Sequence, residues 1–101
     1  MVSFEQHVQA ALDSLPPELR AKLENVAVLV EDANREEPDL YGLFVEEPYL
    51  PATVSIYRRP LEEDFGDDPA ELEHEIRVTV LHELAHYFGI DEDRLDELGY
   101  A

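Results

Sequence analysis

Asp68-Pro69 at one end and Gly89 at the other bracket the longest stretch of this chain that reads as a single element, and they constrain the fold more than any other feature. Asp68 carries an N-cap side chain, Pro69 suits a first helical position that needs no N–H, and Glu71 stands three residues after the cap. Gly89 can take the positive φ that closes a helix. The pattern predicts a helix over residues 69–88, about one-fifth of the 101 residues, followed by a short last helix that Asp91 can cap and that reaches Leu98.

The rest of the chain must pack on that helix. Ser3 and Gln6 have capping-box form, and Phe4, Val8, Ala11, Leu12 and Leu15 recur at helical spacing, so a first helix is expected over residues 4–15. Pro16-Pro17 interrupts it and opens a short second helix toward Asn25. Val26 to Val30 is an apolar, β-branched run that predicts a covered strand, and Tyr41 to Val45 a second short one. Thr53 to Arg59 alternates, with Val54, Ile56 and Arg58 on one face and Ser55, Tyr57 and Arg59 on the other. Pro60 ends this strand, which is the candidate sheet edge. Leu61 to Asp68 reads as an acidic linker. The order predicts a small α+β fold in one domain over residues 1–101, since a chain this long buries roughly 60–65% of its unfolded surface and affords one modest core.

Seven Lys and Arg against 25 Asp and Glu give a net charge of −18, which repels phosphate backbones and anionic lipid surfaces. Nucleic acid and membrane are therefore not expected partners. The 45% hydrophobic content separates the chain from acidic disordered tails. With no Cys, any metal must be held by His and carboxylates. The start MVSFEQHVQA lacks the features of a secretory signal, and no apolar run nears the roughly 20 residues of a membrane span, so a cytoplasmic protein is expected.

Chemistry concentrates near the end of the long helix, in His82-Glu83-Leu84-Ala85-His86-Tyr87-Phe88-Gly89-Ile90-Asp91-Glu92-Asp93. Two His four apart on a helix lie about 40° apart around the axis, so both imidazoles can reach one Zn2+ at about 2.0–2.1 Å. Glu83 sits about 100° round from His82, near enough to touch a metal-bound water as general base. Gly89 allows the chain to turn back, and Glu92 stands six residues after His86 as the candidate third ligand, with Asp91 and Asp93 as alternatives. A site of two imidazoles and one carboxylate would leave a position open for water, as catalytic zinc sites do.

An accidental HExxH has a probability of about two in a hundred in this composition, and requiring the Gly and the later acid multiplies that by roughly one in a hundred. Ordinary core or surface histidines are the plainer interpretation, and the helical wheel argues against it. Val80 and Leu84 lie roughly 160° from the mean direction of the two His, with Ile76 and Tyr87 flanking that stripe.

On these residues the chain resembles the minimal-zincin family of small bacterial zinc metallopeptidase-like proteins, with their HExxHxxGxxD pattern. The likeness extends to 25–32, Leu40-Tyr41-Gly42-Leu43-Phe44, Ser55-Ile56-Tyr57-Arg58-Arg59-Pro60 and Arg94-Leu95-Asp96-Glu97-Leu98-Gly99. It implies a small mixed sheet on a zinc-binding helix, His82 and His86 as ligands and Glu83 as catalytic base. Glu92 departs from the family's usual Asp, and a Met-turn is absent because the single Met is Met1.

The expected function is a zinc-dependent metallopeptidase, in which Glu83 assists attack of zinc-bound water on the peptide bond of a peptide or protein substrate, with basic ones favoured by the charge. The alternative is a catalytically weak or inactive zinc-binding interaction module for a basic partner protein. A ribosomal-RNA nuclease with a similar His-x-x-x-His helix ranks below both, because this chain is strongly negative, and a DNA mimic ranks lower still. Tyr57, Tyr87 and Tyr100 are candidate oxyanion donors, with packing as the plainer role. Arg58-Arg59 could take a substrate carboxylate, though pairing with nearby acids is the expected use. His7 and His74 are assigned no role.

Overall fold

The computed structural model describes residues 3–89 and 92–97, and within them all side chains except those of Glu18, Lys22, His86, Tyr87, Phe88, Glu92, Leu95 and Asp96. Two helices, α1 (Phe4–Asp13) and α2 (Pro17–Lys22), lead through a 3-10 turn into β1 (Val26–Glu31). Strands β2 (Gly42–Val45) and β3 (Ala52–Tyr57) follow, then helices α3 (Arg58–Phe65), α4 (Pro69–Phe88) and α5 (Glu92–Glu97). This is the expected α+β class.

Local chemistry sets the helix ends. Ser3 Oγ accepts from Gln6 N–H while the Gln6 side chain accepts from Ser3 N–H, a complete capping box. Asp68 Oδ1 accepts from Ala70 N–H at 3.0 Å, and Gly89 closes α4 in the left-handed region, at φ 68°. At 1.5 Å per residue α4 is about 30 Å long, close to the molecule's longest extent of 34 Å. Helices α1 and α3 and strands β2 and β3 all pack on it.

The sheet has the order β1-β3-β2, with β1 parallel and β2 antiparallel to β3. Register places Val26, Val28 and Val30 beside Ala52, Val54 and Ile56, and Gly42 and Phe44 beside Ile56 and Val54. That face meets the helices. Val54, Ile56, Leu61, Ile76 and Val80 are fully buried with Leu81 and Leu84, and Phe4, Val8 and Ala11 of α1 close the core. Burying a side chain of this kind stabilises by about 1.5–3 kcal/mol.

Three expectations are corrected. Thr53 to Arg59 is not a sheet edge: β3 is the central strand and stops at Tyr57. Ser55 and Tyr57 on its second face are buried as well, with Asn34 Nδ2 donating to Tyr57 Oη at 3.0 Å and Tyr57 N–H to the Tyr41 carbonyl at 2.9 Å. Leu61 to Asp68 is not a linker. Pro60 falls in the first turn of α3, where a missing N–H costs nothing, and Leu61 is buried beneath it. Arg58 pairs with Asp32 and, one turn on, with Glu62 at 3.4 Å. Finally, β1 is an outer strand covered on one face, with burial alternating along it and Leu29 exposed.

The burial contrast yields a test by denaturant unfolding. Leu81→Ala should destabilise by about 2–5 kcal/mol, whereas Leu50→Ala, on the exposed β2–β3 loop, should stay within about 0.5 kcal/mol.

Candidate metal centre

Helix α4 has two working faces. Ile76, Val80 and Leu84 point into the core, as the wheel predicts, and this leaves Glu75, Val78, Thr79, His82 and Glu83 along the other side. These five line a cleft of about 350 Å3 whose opposite wall is Leu40, Tyr41 and Gly42, at the start of β2. His82 and Glu83 are half-buried there. Thr79 is buried, and its hydroxyl donates back to the Glu75 carbonyl at 2.8 Å.

Gly42 is where strand and helix touch. A Cβ on it would lie 2.7 Å from Thr79 Cγ2, 3.1 Å from the Ser55 carbonyl oxygen and 3.4 Å from Glu83 Cγ. Only a residue without a side chain lets the β2 backbone come this close to the helix. The result is a strand at the end of the sheet whose first residue lies beside Glu83, on the cleft that His82 also lines.

Tyr41 anchors that strand. Its hydroxyl donates to Asp64 Oδ2 on α3, and its ring packs on Phe65 with centroids 5.6 Å apart. The bond to the Asp64 carboxylate, with burial adding to it, pushes the Tyr41 hydroxyl up to about 12.

The sequence reasoning missed Leu40, Tyr41, Gly42, Glu75 and Thr79. The available signal was Gly42, a glycine inside a short strand pattern, which marks close backbone approach. Tyr57 is buried and accepts from Asn34, so it serves packing and is not a wall of the cleft. Arg58 pairs with acids, as expected.

Of the proposed metal ligands, His82 and the adjacent Glu83 lie on the cleft, and Asp93 is exposed on α5. The side chains of His86 and Glu92, all of Asp91 and Tyr100, and the Tyr87 side chain lie outside the described residues. Among the described residues no group of three or more metal-binding side chains comes together. What is described suits a borderline-soft divalent cation: an imidazole on the cleft wall, His86 one helical turn further along the same helix, and a helix stop three residues beyond His86.

A long helix bearing His-Glu-x-x-His beside the edge of a small mixed sheet is the architecture of a zincin. The chain belongs to the zincin-like metallopeptidase family, whose model matches residues 23–100. No curated protein matches it. Among the described residues no helix is long and apolar enough to cross a membrane.

Two tests follow. Gly42→Ala should destabilise by about 1–3 kcal/mol through overpacking, and adding Thr79→Ser, which removes the nearest methyl group, should recover part of that loss in a double-mutant cycle. The raised Tyr41 value favours its protonated form in the folded state. Its contribution is complete below the ordinary value of 10.0 and is lost as pH rises from there to about 12. Asp64→Asn should bring Tyr41 ionisation back toward 10.0, read from phenolate absorbance.

Proposed function

We propose that the protein is a zinc-dependent peptidase acting on extended peptides, with His82, His86 and Glu92 holding the metal and Glu83 as catalytic base. One observation carries the reading: His82 and Glu83 line one cleft with Gly42, the first residue of β2 at the end of the sheet. Family membership supports it.

A peptide laid along β2 would gain main-chain hydrogen bonds from that edge, the mode in which strand addition gives affinity. Gly42 brings the peptide backbone within reach of Glu83, because no side chain stands between strand and helix. Glu83 takes a proton from the attacking water and passes it to the leaving amine. Zinc, when bound, supplies Lewis acidity that polarises the scissile carbonyl. The charge of −18 draws basic peptides and makes the attraction fall with salt.

Purified protein should contain about one zinc, and His82→Ala should lose it. Glu83→Gln should keep zinc while hydrolysis of a mixed peptide library falls by about 10²–10⁴. Zinc retained without any cleavage by the wild type would favour a metal-stabilised interaction module instead.

A further inference from the structure

Among the described residues four large apolar side chains are exposed, and three of them, Val45, Tyr49 and Leu50, cluster where β2 ends and its hairpin turns. Tyr49 stands wholly in solvent on a backbone with φ 137°, a conformation that β-carbon sterics disfavour. Beside it lies a second pocket of about 230 Å3, lined by Val45, Glu47, Leu50, Pro51 and Thr53. Its chemistry is mixed in a specific way: apolar walls with one carboxylate, and the exposed Glu46 next in sequence.

Strand register relates this pocket to the cleft. Val45 pairs with Thr53, on the sheet face turned away from α4, whereas Gly42 pairs with Ile56 on the face turned toward it. Side chains of paired strands alternate together, so a peptide added along β2 would point the residue opposite Gly42 toward Glu83 and the residue opposite Val45 toward the hairpin pocket. Three positions separate them, about 10 Å of extended chain.

We infer that the hairpin pocket is a specificity subsite for a Lys or Arg side chain of the substrate, three residues along the peptide from the one that faces Glu83. The aliphatic stem would lie on Val45, Leu50 and Pro51 while the cationic head meets Glu47, which is how long basic side chains cover apolar surface. A shorter apolar residue would use the walls alone, and an acidic one would meet Glu47 and Glu46. The inference rests on the seating of a peptide along β2 described above, and it adds the substrate class.

The test uses twelve-residue fluorescent peptides in which Lys, norleucine or Glu is walked through each position of a neutral sequence, with binding read by anisotropy and cleavage by mass spectrometry. At one position Lys should bind better than norleucine, and norleucine better than Glu. Glu47→Gln should reduce the preference for Lys over norleucine by about 2–5-fold, the range of an exposed ion pair, and Leu50→Ala should weaken both peptides. In cleaved peptides that position should lie at a constant offset from the scissile bond. Cleavage with no basic preference, or with one that Glu47→Gln leaves intact, would overturn the subsite and leave the peptidase reading standing. A Glu47-dependent preference in binding, with no cleavage of any peptide, would do the reverse. Equal binding of all three series, or none, would overturn the subsite.

Discussion

Burial of Ile76, Val80 and Leu84 sets the rotation of α4 about its axis, and everything at the site depends on that rotation. With this stripe held against α1 and β3, the side carrying Glu75, Thr79, His82 and Glu83 turns to the start of β2. A helix with an apolar stripe loosely defined around its axis would leave the imidazole and the carboxylate free to rotate from the strand. Here the stripe is continuous over more than two turns and buried throughout, so the chemistry-bearing face is positioned by packing on the opposite one.

Gly42 converts that orientation into a working distance. A methyl group at this position would collide with Thr79 and the Ser55 carbonyl, so the strand would have to move away from Glu83. Tyr41 holds the adjoining residue to α3 through Asp64 and Phe65, which ties the strand's approach to a third element. Strand β2 thus runs from helix α4 at Gly42 to the exposed hairpin at Val45. Net charge acts over the whole surface: with 25 acids to seven strong bases, the molecule's potential favours cations over anions.

Elements defined by neighbouring residues were legible from the chain alone. Ser3 with Gln6, Asp68 with Pro69, and Gly89 mark their helix ends by local hydrogen bonding and backbone preference, and the core stripe of α4 follows from its period. What failed required knowing the partners. β3 alternates like a half-covered strand, yet Ser55 and Tyr57 on its second face are buried too, and its place between β1 and β2 makes it central. The uniform apolarity of Val26 to Val30 suggested a covered strand, whereas burial alternates along this outer strand. Pro60 looked like a terminator because a strand preceded it, whereas in a first helical turn it is harmless. His82 and Glu83 could be named from their spacing, but the wall facing them could not, apart from the hint in Gly42.

The central claim is that His82 and His86 hold zinc beside Glu83, and zinc X-ray absorption tests it most directly. The expected spectrum shows a shell of nitrogen and oxygen at about 2.0–2.1 Å with outer scattering from two imidazoles. In His82→Ala that scattering should fall by one imidazole or vanish with the metal, and in Glu83→Gln the imidazole count should stay unchanged. Zinc bound without imidazole scattering, or a spectrum that His82→Ala leaves unaltered, would contradict it.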